Sequence, residues 1–366
     1  MNPTSRVNPA FMRVTVRHGP AATPVVAGRS YRPFHGIASR GMLDRLPTDG
    51  QVALERWSPL LDAALAGDEF ALATVPKDVV EAARACGMLT FAQSAAAAAQ
   101  FVAHELREVV APATHVELWN VKEGHTSSVW RLTVDPPERP TVRLALNVGR
   151  DHLASDELER SAAILDEVTA SSLAVTVAAV VARGRVTVPG APGLRPAVVV
   201  QEWVEDASEL ALLPRRGGGR RLYAVERWVT AEQEPGRIAG AVGHRLTDTE
   251  HKQVAECATR FLLDTVRLAG RAALRFPRID VEHGDWMWGA DGLYVVATAG
   301  DEDIVSCADA RQHLRSIWTR CHAPADPEVE LLFDTGTDEA LCMALAAGHP
   351  GALLVRAEVI SERVTE

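Results

Sequence analysis

Three short apolar runs in close succession, HVELWNV (115–121), VWRLTVD (129–135) and VRLALNV (142–148), constrain this chain more than any other feature. Each alternates or runs apolar at the period of a strand with one buried face, and Gly, Pro or Asp-rich turns separate them. Strands joined by reversals this short pair antiparallel, since a parallel pairing needs a crossover of a dozen or more residues.

The period then changes. DELERSAAILDEV (156–168) sets Leu158, Ala162 and Leu165 on one helical face, with Ser155 as the expected N-cap. Two further apolar runs, VTVAAVVARG (175–184) and AVVVQEWVE (197–205), read as strands. The order is three strands, one helix, two strands.

Upstream, residues 1–45 are Pro, Gly and Arg-rich, an irregular arm with extended pieces at VTV and VVA. Residues 51–110 turn helical in three pieces, ALERWSPLLDAALAG, PKDVVEAARACGML and AQSAAAAAQFVAHELREVV, with breaks expected at Gly67 and Pro76. Downstream, PRRGGGRR (214–221) is a turn before the strand LYAVERWV (222–229). Thr247 and Glu250 form a capping box that opens a helix expected to run to about Ala269. The run VEHGDWMWGADGLYVV (281–296) then presents the carboxylate of Asp285 at a turn, either as a base or as a turn residue.

Composition narrows the function. A net charge of −10 argues against a nucleic-acid binder, whose affinity rests on clustered Lys and Arg. No segment has the apolar length of a membrane helix, and the first residues lack the apolar core of a signal peptide, so a cytoplasmic protein without membrane attachment is expected. The five cysteines are scattered without C-x-x-C spacing, and no zinc, Walker or G-x-S-x-G motif occurs.

The element order together with His283-Gly284-Asp285 resembles the protein-kinase-like fold, and within it the aminoglycoside phosphotransferase-like family, over roughly residues 115–320. The resemblance implies an α+β, bilobal architecture, with an antiparallel-sheet N-lobe at 111–206, a helical C-lobe at 207–366, and an extra N-terminal arm and helical module at 1–110. It also implies a site with a loop over nucleotide phosphates, a cation, metal-binding carboxylates and a base. The cofactors implied are ATP or GTP with Mg2+.

Residue by residue, the phosphate loop corresponds to Lys122, Gly124, Ser127 and Ser128, where a bland hairpin turn is the alternative use. The family's strand lysine is replaced by Asn147, and its helix glutamate corresponds to Glu159 or, in the register most like the family, Ser161. A neutral amide cannot stand in for a point charge, so the cation would come from Lys122, Arg143 or Arg150. Glu202 and Val204 flank the expected hinge for an adenine ring. Asp285 corresponds to the base, with His283 its structural neighbour in the loop. Ala290 stands where the family has a metal-binding Asn, leaving Asp291 as the nearby oxygen ligand.

Two registers compete for the second metal ligand. If Leu293–Ala297 and Ile304–Cys307 are the strands after the loop, Asp309 is that ligand, and this register is preferred. In the other, WMW is itself a strand and Ala297 or Thr298 takes the ligand position.

Two functions follow. One is nucleotide-dependent phosphoryl transfer to a hydroxyl, on a small molecule or on Ser/Thr of a peptide, as in the kinase-like proteins of lanthipeptide and thioamitide maturation. The other is a pseudokinase or scaffold that binds a peptide or partner enzyme without transfer. The helical module is compatible with leader-peptide binding or a homodimer.

Overall fold

The computed structural model of the chain describes residues 13–15, 25–27, 40–43, 45–46, 60–110, 113, 115–124, 126–170, 176–214, 220–228, 241–247, 249–250, 253–254, 286–289 and 292–297. His283, Asp285, Asp291 and Asp309 lie outside these residues, as do the strand expected at 304–307, the helix expected at 311–318 and the tail from 327.

The arm contributes two three-residue strands, β1 (Arg13–Thr15) and β2 (Val25–Ala27), followed by helix α1 (Arg40–Leu43). The helical segment supplies α2 (residues 60–65), α3 (Glu69–Thr74), α4 (Lys77–Ala85), α5 (Phe91–His104) and α6 (Arg107–Val110). Then come β3 (His115–Glu123), β4 (Ser127–Asp135), β5 (Val142–Gly149), α7 (His152–Ala170), β6 (Thr176–Val177), β7 (Val180–Arg185) and β8 (Ala197–Glu202). The remaining described strands are β9 (Ser208–Pro214), β10 (Arg220–Trp228), β11 (Ala241–Arg245), β12 (Trp286–Gly289) and β13 (Gly292–Val295).

Local chemistry sets the helix ends. Gly67 has φ +91, a left-handed conformation that costs glycine little, and Asp68 then caps α3 by accepting from Ala71 N at 2.9 Å. Thr90 and Gln93 form a reciprocal capping box at the start of α5. Asp62 Oδ1 accepts from Phe91 N at 2.7 Å and ties α2 to that same start.

The fold is mixed α/β with antiparallel sheets, and the chain divides into two compact units. The first comprises 1–162 and 180–203, so the helical segment shares a unit with the first sheet, whose order is β2-β1-β3-β4-β5-β8-β7. The second comprises 163–179 and 204–366 and holds the sheet β11-β10-β9-β12-β13-β6, in which only β6 runs parallel to its neighbour. No described helix is long and apolar enough to cross a membrane.

In the first unit, α5 packs on one face of the sheet. Ala95, Ala97, Ala98 and Ala99 of α5 are buried there at zero exposure, since small side chains let a helix approach closely. They meet Val116 and Leu118 of β3, Trp130, Leu132 and Val134 of β4, and Leu144, Leu146 and Val148 of β5. Trp130 lies 5.3 Å from the Phe91 ring and donates its indole N–H to Ser94 Oγ at 3.4 Å.

Four local expectations are corrected. The N-cap of α7 is Asp151, whose Oδ1 accepts from Ala154 N at 2.7 Å, while Ser155 is buried in the first turn and accepts from Ala197 N of β8 at 3.1 Å. Gly149 makes this approach possible, because a Cβ there would lie 2.4 Å from Ser155 Oγ and 2.7 Å from its Cα. The run 175–184 is divided, β6 joining the second sheet and β7 the first. Strands β9 and β11 form where turns or no element were expected.

The fourth concerns the segment after Asp285. WMWG is a strand, paired antiparallel with β13 from Trp286↔Val295 to Gly289↔Gly292, so only Ala290 and Asp291 connect the two. Trp286, Leu293 and Val295 are buried, and β9 secures β12 from its other side. WMW is thus a strand, as in the register not preferred, and β13 overlaps the strand expected at Leu293–Ala297, while Ile304–Cys307 and Asp309 lie outside the described residues.

Candidate functional site

Lys122 and Asn147 lie on the sheet face of the first unit opposite α5. A β-bulge decides which side chains share that face. Asn120 pairs with Trp130 on the core side, but the register shifts before Lys122, which pairs with Val129. One extra residue, Val121, therefore turns Lys122 to the face opposite Trp130; without it the alternation would send the ammonium into the core. Val129 pairs with Asn147, and Asn147 with Val199. Lys122, Val129, Asn147 and Val199 thus form one row across four strands, with Lys122 two strands from Asn147, or about 10 Å.

The next row on that face is Trp119, Arg131, Ala145 and Gln201. Asn147 Nδ2 donates to Gln201 Oε1 at 2.8 Å, joining the rows with a neutral amide pair in which Gln201 is only 4% exposed. The Arg131 guanidinium sits over the Trp203 ring, 5.6 Å from its centroid, the geometry of a cation–π contact. Ala145 stands between Arg131 and Gln201 in this row.

At the end of the first row, the β3–β4 turn closes with Gly124 N donating to Ser127 O at 2.8 Å. Arg150, buried at 6% exposure, holds the turn twice: its Nη1 donates to Gly124 O at 2.9 Å and its backbone N to Thr126 O at 3.1 Å. A guanidinium is thereby fixed beside the turn expected to meet phosphates. Ser127 shares the face of Val129, whereas Ser128 alternates to the α5 side and is buried with Trp130.

Glu159 is engaged elsewhere. Its carboxylate takes a two-point contact from Arg185 of β7, Nε to Oε1 at 2.9 Å and Nη2 to Oε2 at 2.8 Å, and Asp156 adds a third bond to the same guanidinium. The Glu159 bond, together with Asp156, pushes the Arg185 pKa further above its ordinary range. Ser161 is buried on α7. Glu202 ends β8 exposed, and the division between the two units falls between Trp203 and Val204.

Sequence reasoning missed Gln201 and Arg131, and it took Trp203 only as part of the hinge stretch between Glu202 and Val204. Gln201 carried a signal, since it is the single polar residue to interrupt AVVVQ before Glu202, whereas Arg131 becomes notable only through its cross-strand pairing and its place over the Trp203 ring. Among the described residues no group of three His, Cys, Asp or Glu side chains could hold a metal ion. The carboxylates expected to take Mg2+, Asp291 and Asp309, lie outside those residues.

No protein family matches the chain by its sequence profile, and no curated protein matches it by sequence. Among solved structures, a MAP kinase (LmaMPK10) from Leishmania major is similar over 68% of this chain and 70% of its own, at 12% identity and a TM-score of 0.31.

Proposed function

We propose that this chain is a divergent, kinase-like, nucleotide-dependent phosphotransferase acting on a hydroxyl acceptor, either a small alcohol or Ser/Thr of a peptide such as a ribosomally made precursor. The observation that carries the reading is the row Lys122–Val129–Asn147–Val199, laid on a sheet built in the order three strands, helix, two strands. The position that lacks a lysine at Asn147 has a lysine two strands away, brought to the same face by the Val121 bulge.

In this reading Lys122 attracts the nucleotide phosphates, and the turn at Gly124 and Ser127 offers them backbone and hydroxyl donors. Glu202 and Val204 flank the adenine position, with ATP or GTP as donor. Mg2+, held by Asp309 together with Asp291, would neutralise charge on the phosphates. Asp285, with His283 beside it, accepts the acceptor's proton as the hydroxyl oxygen bonds to the γ-phosphorus and the bond to the β-phosphate oxygen breaks.

A second reading, a pseudokinase that binds a peptide or partner enzyme without transfer, is favoured by two specific features. The Asn147–Gln201 pair is uncharged, and Ala290 stands where the family has a metal-binding Asn. One experiment separates the two. The first reading predicts phosphate transfer from Mg·ATP or Mg·GTP to a hydroxyl-bearing peptide or alcohol panel, abolished in Asp285→Ala with nucleotide binding retained. Binding with no transfer in either protein supports the pseudokinase, and transfer that persists in Asp285→Ala removes that residue from the chemistry.

A further inference from the structure

The helical segment before β3 has no role in the reading above, yet it is bonded to the residue that holds the phosphate turn. Leu89 N donates to Arg150 O at 2.8 Å, and His152 N donates to Cys86 O at 3.3 Å, so the α4–α5 connection and the β5–α7 connection are stitched together by main-chain bonds. Gly87, at φ +72, lies between these two bonds, where a Cβ would fall 2.5 Å from His152 Nε2. Gly41 of α1 packs on the same junction, its Cβ position 3.0 Å from Asp151 Oδ2 and 3.2 Å from Leu153 Cβ. Arg150 then reaches from this junction to Gly124 and Thr126.

We propose that Arg150 is a positioning residue through which the N-terminal helical segment sets the geometry of the β3–β4 turn. The inference rests on the nucleotide reading only for what the turn binds; the mechanical link is independent of it. The physical warrant is continuity: Arg150's backbone carbonyl takes the Leu89 amide, while its amide and guanidinium take both ends of the turn, and Arg150 itself is buried. Loosening the α4–α5 connection therefore frees the main chain of Arg150, and with it the turn. The segment acts as a clamp on the loop.

Hydrogen exchange on the full-length protein tests this without any ligand. Arg150→Gln removes the charged bond to Gly124 O and should raise exchange at 124–127 and at 86–89 by about tenfold, with Arg150→Lys recovering part of the protection. Gly87→Ala, which strains the connection without touching the turn, should raise exchange at 124–127 as well. Increases confined to 83–89 in Gly87→Ala, or unchanged protection at 124–127 in Arg150→Gln, would overturn the coupling. A parallel titration with Mg·ATP separates the two proposals: a wild-type protein that ignores nucleotide but shows the coupled exchange contradicts the nucleotide reading and supports the clamp.

Discussion

Asn147 donates its side-chain amide to Gln201 Oε1 at 2.8 Å, and this neutral bond stands on the strand where the resemblance calls for a lysine. The acceptor side chain is nearly fully buried, so the bond is shielded from water. Asn147→Ala should destabilise the protein by about 0.5–1.5 kcal/mol, the net contribution of one hydrogen bond. Denaturant unfolding measures this, and a change under about 0.5 kcal/mol would mean that water replaces the amide.

Gly149 of β5 lies directly against the first turn of α7 at Ser155. Gly149→Ala must push Ser155 off its bond with Ala197 N, and it should cost about 1–3 kcal/mol by overpacking. Gly193→Ala, with nothing within 4 Å of the new methyl, is the control and should change stability by about 0.5 kcal/mol or less.

Arg185 and Glu159 form a two-point contact on a partly solvated surface, with side-chain exposures of 29% and 38%. Glu159→Gln should cost about 1 kcal/mol or less, an effect that shrinks with added salt, and it should leave nucleotide affinity unchanged. Loss of nucleotide binding in that variant would return Glu159 to the site.

Glu250 introduces a pH dependence in the second unit. Its carboxylate accepts from Thr247 N at 2.7 Å and from Thr247 Oγ1 at 2.8 Å, and these bonds, the backbone one foremost, hold its pKa below the ordinary 4.5. A pKa depressed by folding gives stability that is complete above the unfolded value of 4.5 and is lost as pH falls through the lower folded value. Unfolding followed from pH 7 into the acid range should therefore show a steeper loss below about pH 4.5 in the wild type than in Glu250→Gln. Parallel curves would show that the capping box contributes no such linkage.

The parts legible in the sequence were those governed by short-range chemistry. The alternation of 115–148 gave β3, β4 and β5, and the Thr247–Glu250 spacing gave a capping box whose two reciprocal bonds are present. What escaped depends on pairing at a distance. Trp286–Gly289 is a strand because β9 and β13 flank it, and Asp151 displaces Ser155 as a cap because Gly149 lets β8 reach the Ser155 hydroxyl. The same holds at the site: Lys122 was picked out as one of three lysines, but its face is set by a single-residue bulge that no periodicity reveals.

On the nucleotide reading, Lys122 supplies the charge that Asn147 cannot. Thermal unfolding with and without millimolar Mg·ATP or Mg·GTP tests it in wild type and in Lys122→Met, a substitution that keeps most of the side-chain length and removes the charge. A ligand at a hundred times its Kd stabilises a folded protein by about 2.7 kcal/mol, so the wild-type Tm should rise by several degrees while that of Lys122→Met stays near its nucleotide-free value. Equal shifts in the two proteins, or no shift in the wild type, would contradict it.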